Sequence, residues 1–276
     1  MAEETGNNNL PNLPLGRDVS YPGEYDASLL CPIPRHLSRV ELGIEVGASP
    51  FFGEDIWNAY ELSWLNSRGK PMVAEAEFRF AADTPAIIES KSFKLYLNSL
   101  NQTRFDSRQA LVARMAEDLS AAAGGPVAVV LTESGAESVA QLPGLCLDAL
   151  DIDVDSYAFN PDTLAASGEP VEESLHSHLL RSLCPVTGQP DWGSVLVHYR
   201  GPAINREGLL RYIISYRQHQ EFHEQCVERI YRDIQSRCQP QSLLVCARYL
   251  RRGGLDINPY RSSEPVNYPN LRLGRQ

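Results

Sequence analysis

The chain has 276 residues, 43% of them hydrophobic, and 35 acidic against 25 basic side chains give a formal net charge of −10. That content fills a core, so disorder is not the expectation, and the length allows one large domain or two of roughly 100–200 residues. The negative charge argues against nucleic-acid binding through the phosphate backbone. No apolar run approaches the ~20 residues that cross a bilayer, and the start, MAEETGNNNLPNLPLG, lacks a basic segment followed by an apolar one. The expected setting is the cytoplasm, with neither membrane nor nucleic acid as partner.

Taken in order, residues 1–25 read as a flexible leader rich in Asn, Pro and Gly. A strand is expected over 56–65 and a second over 71–80, where Ala74, Ala76, Phe78 and Phe80 alternate with Glu75, Glu77 and Arg79. Next comes the run ESKSFKLY, residues 89–96. Phe93, Tyr96, Leu97 and Leu100 fall on one apolar helical face, Lys91 and Lys94 project from another, and Glu89 sits where the helix should begin. A second helix is expected over 107–122, stopped by Gly124-Gly125-Pro126, then a β-rich run over 126–132. The order repeats as a strand at 194–199, helices at 205–216 and 221–237, and a strand at 242–249. The halves, 26–155 and 156–276, are expected to join near 150–170. The class is α+β, in two tandem halves.

Three further stretches carry candidate chemistry. Residues 182–193, SLCPVTGQPDWG, read as a rigid loop that puts Cys184 and Asp191 seven residues apart before a strand. Residues 221–226, EFHEQC, open a helix with His223 and Glu224 adjacent; His223 alone reads as a core histidine. Residues 251–259, RRGGLDINP, taken alone read as a basic hairpin turn, although Arg251 and Arg252 with Lys91 and Lys94 would make a local cationic cluster. The six cysteines are scattered without a CxxC pair, and His36, His176, His178, His198 and His219 form no spaced metal motif. No structural zinc or other metal site is expected. No G-x-G-x-x-G occurs, so a Rossmann site is not indicated.

The octapeptide from Glu89 to Tyr96 is similar, position by position, to the motif of the NADPH-dependent nitrile reductases of queuosine biosynthesis. The loop from Cys184 to Asp191 resembles their catalytic loop. The resemblance covers nearly the whole chain beyond the leader and matches the long-chain, tandem members. It implies the tunnelling fold, each half an antiparallel sheet backed by a helix pair, and a homodimer or higher homo-oligomer. It implies reduction of the nitrile of a 7-cyano-7-deazaguanine base. Cys184 would then be the nucleophile and Asp191 the proton relay. Ile87, Ile88, Glu89, His223 and Glu224 would bind the base, and Ser90, Lys91, Lys94, Arg252 and Gly253 would bind NADPH. A thiolate attacking a nitrile carbon gives a thioimide that hydride can reduce. A pterin- or purine-type hydrolase of the same fold would ordinarily require a metal-activated water. A non-catalytic base-binding dimer is the other competing reading.

Overall fold

A computed structural model of the chain describes residues 21–45, 47–132 and 139–276. Residues 1–20 of the expected leader lie outside the described residues. The strands are β1 (Pro32–Pro34), β2 (Phe52–Asn66), β3 (Pro71–Ala81), β4 (Ala86–Ile88), β5 (Arg104–Phe105), β6 (Val127–Thr132), β7 (Leu145–Cys146), β8 (Ala166–Leu183), β9 (Pro190–Ile204), β10 (Ser242–Tyr249) and β11 (Leu255–Ser262). The helices are α1 (His36–Arg39), α2 (Ser90–Ser99), α3 (Arg108–Ala123), α4 (Arg206–Ser215) and α5 (His223–Cys238). The class is α+β, as expected.

One sheet runs in the order β6-β3-β2-β11-β10-β9-β8-β7, with β5 beside the end of β2. Its pairings are antiparallel except for the short contacts of β5 with β2 and β7 with β8. The seam between the halves is β11 against β2, in register from Leu255↔Ala59 to Ser262↔Phe52.

Local chemistry explains the elements. In β3 the pleat turns Ala74, Ala76, Phe78 and Phe80 into the core. Phe93 of α2 meets them there, with its ring 5.0 Å from Phe78 and 5.2 Å from Trp57. The Glu89 carboxylate caps α2, accepting from the backbone N–H of Lys91 and of Ser92 at 2.7 Å each. Ser107 caps α3 and Asn205 caps α4 in the same way. Gly124, at φ 76°, ends α3 in the left-handed region. Helices α2 and α3 cover β2 and β3, while α4 and α5 cover β8, β9 and β10, so each half has its own core. On the opposite face Tyr268 and Leu273 of the C-terminal segment close a smaller cluster over Ile56, Leu196 and Cys246.

Several expectations require correction. The sequence pattern predicts no strand where the structure has the eighteen-residue β8. Its outer part, GEPVEESL, is so acidic that no apolar alternation marks it. The stretch 182–193 is no free loop, because its ends belong to β8 and β9, and Ser182 pairs with Asp191. Residues 251–254 do form a turn, but β11 follows at once and completes the sheet.

A buried ion-pair network joins the halves at the seam. Arg261 of β11 reaches Asp55 of β2 and Glu228 of α5, at 2.8 Å each. Arg35 binds Asp55 at 2.6 Å, and Arg39 binds Glu228 at 2.7 Å. Burial alone would raise both carboxyls, but the surrounding guanidinium groups outweigh it and hold Asp55 and Glu228 below the usual carboxylate range. Removing one partner of such a network leaves a buried charge uncompensated, at about 3–5 kcal/mol. Arg261→Met should therefore lower the melting temperature by roughly 5–9 °C, read by calorimetry; an unchanged transition would contradict this role.

Candidate active site

The β8–β9 hairpin and the amino end of α5 meet the β10–β11 turn and the start of α2 around a cavity of about 310 Å3. The hairpin turn is closed by the Cys184 N–H donating to the Gln189 carbonyl and the Gly188 N–H donating to the Cys184 carbonyl, both at 2.9 Å. This short closure presents Cys184 and Asp191 to the same space, although they are seven residues apart. Cys184 is only 5% exposed, yet it lines the cavity with Asp191, His223 and Glu224.

The Asp191 carboxylate is held from two sides. Arg252 of the β10–β11 turn forms an ion pair with its Oδ1, and His223 Nε2 stands 3.3 Å from the same oxygen. Burial works to raise this carboxyl, but the hydrogen bond and charge of His223 and the Arg252 guanidinium bring it below the usual value. Asp191 is therefore ionised at neutral pH. His223 is fixed by stacking flat on Tyr249, with centroids 3.8 Å apart and planes at 5°. Its Nδ1 is buried without a hydrogen-bond partner.

Glu224 is also buried, and its carboxyl is pushed up to about 8. Desolvation is the main cause, and the negative charge of Asp55 adds to it, against Arg35 and Arg261. One helical turn on, Glu228 belongs to the seam network, so that network fixes where Glu224 points.

Part of the lining is cationic. Ser90, Lys91 and Lys94 of α2 form it with Arg252 and Gly253. Lys94 forms an ion pair with Glu61. At Gly253, φ is 59° and an added Cβ would meet nothing within 4 Å, so the backbone there stands open to the cavity.

Ten of the twelve residues named from the sequence thus line one cavity. Ile87 and Glu89 do not: Ile87 packs against Ile33, and the Glu89 carboxylate lies buried at the start of α2. Arg251 turns away from the cavity, its guanidinium 3.8 Å from the centre of the Tyr60 ring. Trp192 stands on the surface beneath Arg181 and Arg217. Sequence reasoning missed Tyr249, which orients His223, and Glu221, which lines the cavity while bound to Arg229 and His219. Tyr249 ends a strand just before the Arg251-Arg252 turn, and that position was the available signal.

Known proteins match this chain in both halves. Residues 21–131 match the family model described as "Nitrile reductase, 7-cyano-7-deazaguanine-reductase N-term", and residues 190–267 match "QueF-like protein". Proteins named NADPH-dependent 7-cyano-7-deazaguanine reductase are similar along most of their length. That of Chromohalobacter salexigens is 57% identical over 97% of this chain and 98% of its own. That of an Azoarcus species is 58% identical over 91% of this chain and 90% of its own. That of Dechloromonas aromatica is 59% identical over 95% of each. A solved structure of the archaeosine synthase QueF-Like covers 37% of this chain and 99% of its own at 19% identity and a TM-score of 0.31, too low to bear on the fold. With both halves matched and relatives this similar end to end, the chain belongs to the NADPH-dependent 7-cyano-7-deazaguanine reductase family.

Proposed function

We propose that this chain reduces the nitrile of 7-cyano-7-deazaguanine to the aminomethyl group with two NADPH, in tRNA queuosine biosynthesis. One observation carries the reading: a thiol, an ionised carboxylate, a histidine and a buried glutamic acid line a single cavity together with Lys91, Lys94 and Arg252. A nitrile is a weak electrophile, and this set answers that weakness.

In the proposed sequence, Asp191 takes the Cys184 proton as Sγ bonds to the nitrile carbon, and passes it to the nitrogen. The product is a thioimide, formed without gain or loss of electrons. Once a hydride has reached that carbon, the C–S bond breaks, the thiolate returns and an imine remains. A second hydride and a further proton complete the amine. His223 and Arg252 hold the Asp191 oxygen in place and keep it ionised, ready to accept a proton, before each turnover.

Glu224 is suited to accept the amino and ring N–H groups of the base together. Ile88 would flank the base. Ile87 and Glu89, behind the start of α2, would complete its recognition, with a homodimer as the simplest assembly that brings the necessary edges together. The cationic part of the lining fits a dinucleotide phosphate: Ser90, Lys91, Lys94 and Arg252 offer donors, and open backbone at Gly253 permits close approach. NADPH, when bound there, supplies the hydrides. We place the division between the halves at 155/156 and the setting in the cytoplasm; among the described residues no helix is long and apolar enough to cross a membrane.

With the cyano base, the purified protein should oxidise two NADPH for each aminomethyl product. Cys184→Ala should cut turnover at least about 1,000-fold while still binding the base. Turnover near the parent level in that variant would remove the nucleophile from the scheme.

The raised Glu224 carboxyl adds a pH signature. Its folded value of about 8 lies above the ordinary 4.5, so the folded chain retains a proton that the unfolded chain has lost. The stability this confers is full below the ordinary value and is lost as pH rises through about 8. Glu224→Gln should match the parent near about pH 4.5 and exceed it near about pH 8 by on the order of 4 kcal/mol in denaturant titration. Parallel curves for the two proteins would contradict this. In the parent, base binding should tighten over the same rise, as the carboxylate forms.

A further inference from the structure

A second set of chemically capable side chains lies away from the cavity. Cys146, His176 and His178 place one ligand atom each within 4.8 Å of one another. None of the three lines the cavity. Strand pairing assembles them. In the parallel contact of β7 with β8, Cys146 stands beside His176, and His178, two residues further along β8, returns to the same face. The imidazole rings are 5.4 Å apart. The face is the one away from α4 and α5, since His176 also pairs with Leu196 of the smaller cluster on that side.

The surroundings prepare the rings for a metal. His176 Nδ1 lies 3.0 Å from the Pro143 carbonyl, which can only accept, so the proton sits on Nδ1 and the Nε2 lone pair is left for an ion. His178 Nδ1 is 2.8 Å from the Ser194 hydroxyl, which can fix that ring in the same tautomer. The backbone between them is also tied down. Asp148 accepts from the Ser177 hydroxyl at 2.6 Å and from the His178 N–H at 3.0 Å. Metal-bound histidines characteristically hold their second nitrogen in this manner. His176 is buried, while Cys146 and His178 are half-buried, which leaves an entry path.

We propose that Cys146, His176 and His178 form a binding site for a borderline-soft divalent cation, zinc foremost, with water in the fourth position. The donor set chooses the class: one thiolate and two imidazoles suit zinc, whereas magnesium and calcium favour oxygen ligands. Binding would release the Cys146 proton and involves no change of oxidation state. It would tie the two-residue strand β7 to the long strand β8, whose other end leads into Cys184. Chain spacing hides the site, because the cysteine and the histidines meet only through strand pairing; the sequence-based expectation of no metal site is revised accordingly.

Titration of the full-length, metal-stripped protein with zinc in the presence of a chromophoric chelator tests this, with cobalt(II) as the spectroscopic probe. The parent should bind one equivalent per chain, gain thermal stability on zinc addition, and show a thiolate-to-cobalt charge-transfer band. Cys146→Ala and His178→Ala should each weaken zinc binding at least about 100-fold, and Cys146→Ala should abolish the band. Cys184→Ala should retain both, and Cys146→Ala should keep nitrile-reducing turnover in zinc-free buffer. Equal zinc affinity in the parent and in Cys146→Ala would overturn the proposal, as would no tight equivalent in the parent or loss of the cobalt band in Cys184→Ala.

Discussion

Five charged side chains sealed at the seam of the two halves set the geometry of the whole molecule. Arg35 and Arg39 come from the segment after β1, Asp55 from β2, Glu228 from α5 and Arg261 from β11. Charges without water are tolerated only when each finds its opposite at close range. The network can therefore form only if β2 meets β11 in one register and α5 lies over the seam at one rotation. A hydrophobic contact would allow sliding there; guanidinium–carboxylate pairs do not. Since α5 starts at the cavity, fixing its rotation also fixes His223 and Glu224.

The cavity is thus made from the ends of elements that the seam and the sheet have already placed. The β8–β9 turn contributes the thiol and the carboxylate, and the β10–β11 turn contributes Arg252. The first turn of α5 contributes the histidine and the glutamic acid, and α2 the lysines. Two of the acids in this space have opposite titration behaviour. Asp191 is kept ionised by His223 and Arg252, while Glu224 is kept protonated by burial and by Asp55. Environments that push two carboxyls apart in this way suit the two roles proposed for them, proton transfer for Asp191 and recognition of a base for Glu224.

Much of this was legible in the chain because the relevant signals are local. The alternation in β3 and the apolar face of α2 are read at short range, and so are the Cys-Pro and Pro-Asp corners of the hairpin. Glu89 was correctly read as the start of α2, and its capping bonds explain why it is absent from the cavity lining. What escaped is non-local. Strand β8 begins in an acidic run whose pairing with β9 is decided by the hairpin, not by its own hydrophobicity. The Arg261 network, the Tyr249 stack on His223 and the Cys146–His176–His178 cluster each join residues that only the sheet brings together. Arg251 and Arg252 are identical and adjacent, yet one stacks on Tyr60 and the other grips Asp191.

The central claim is that sulfur at position 184 bonds to the nitrile carbon, and intact mass measurement reads that bond directly. The protein mixed with 7-cyano-7-deazaguanine in the absence of NADPH should gain the mass of one base per chain. Cys184→Ala should gain none. An adduct that persists in Cys184→Ala, or its absence from a parent protein saturated with the base, would contradict the account.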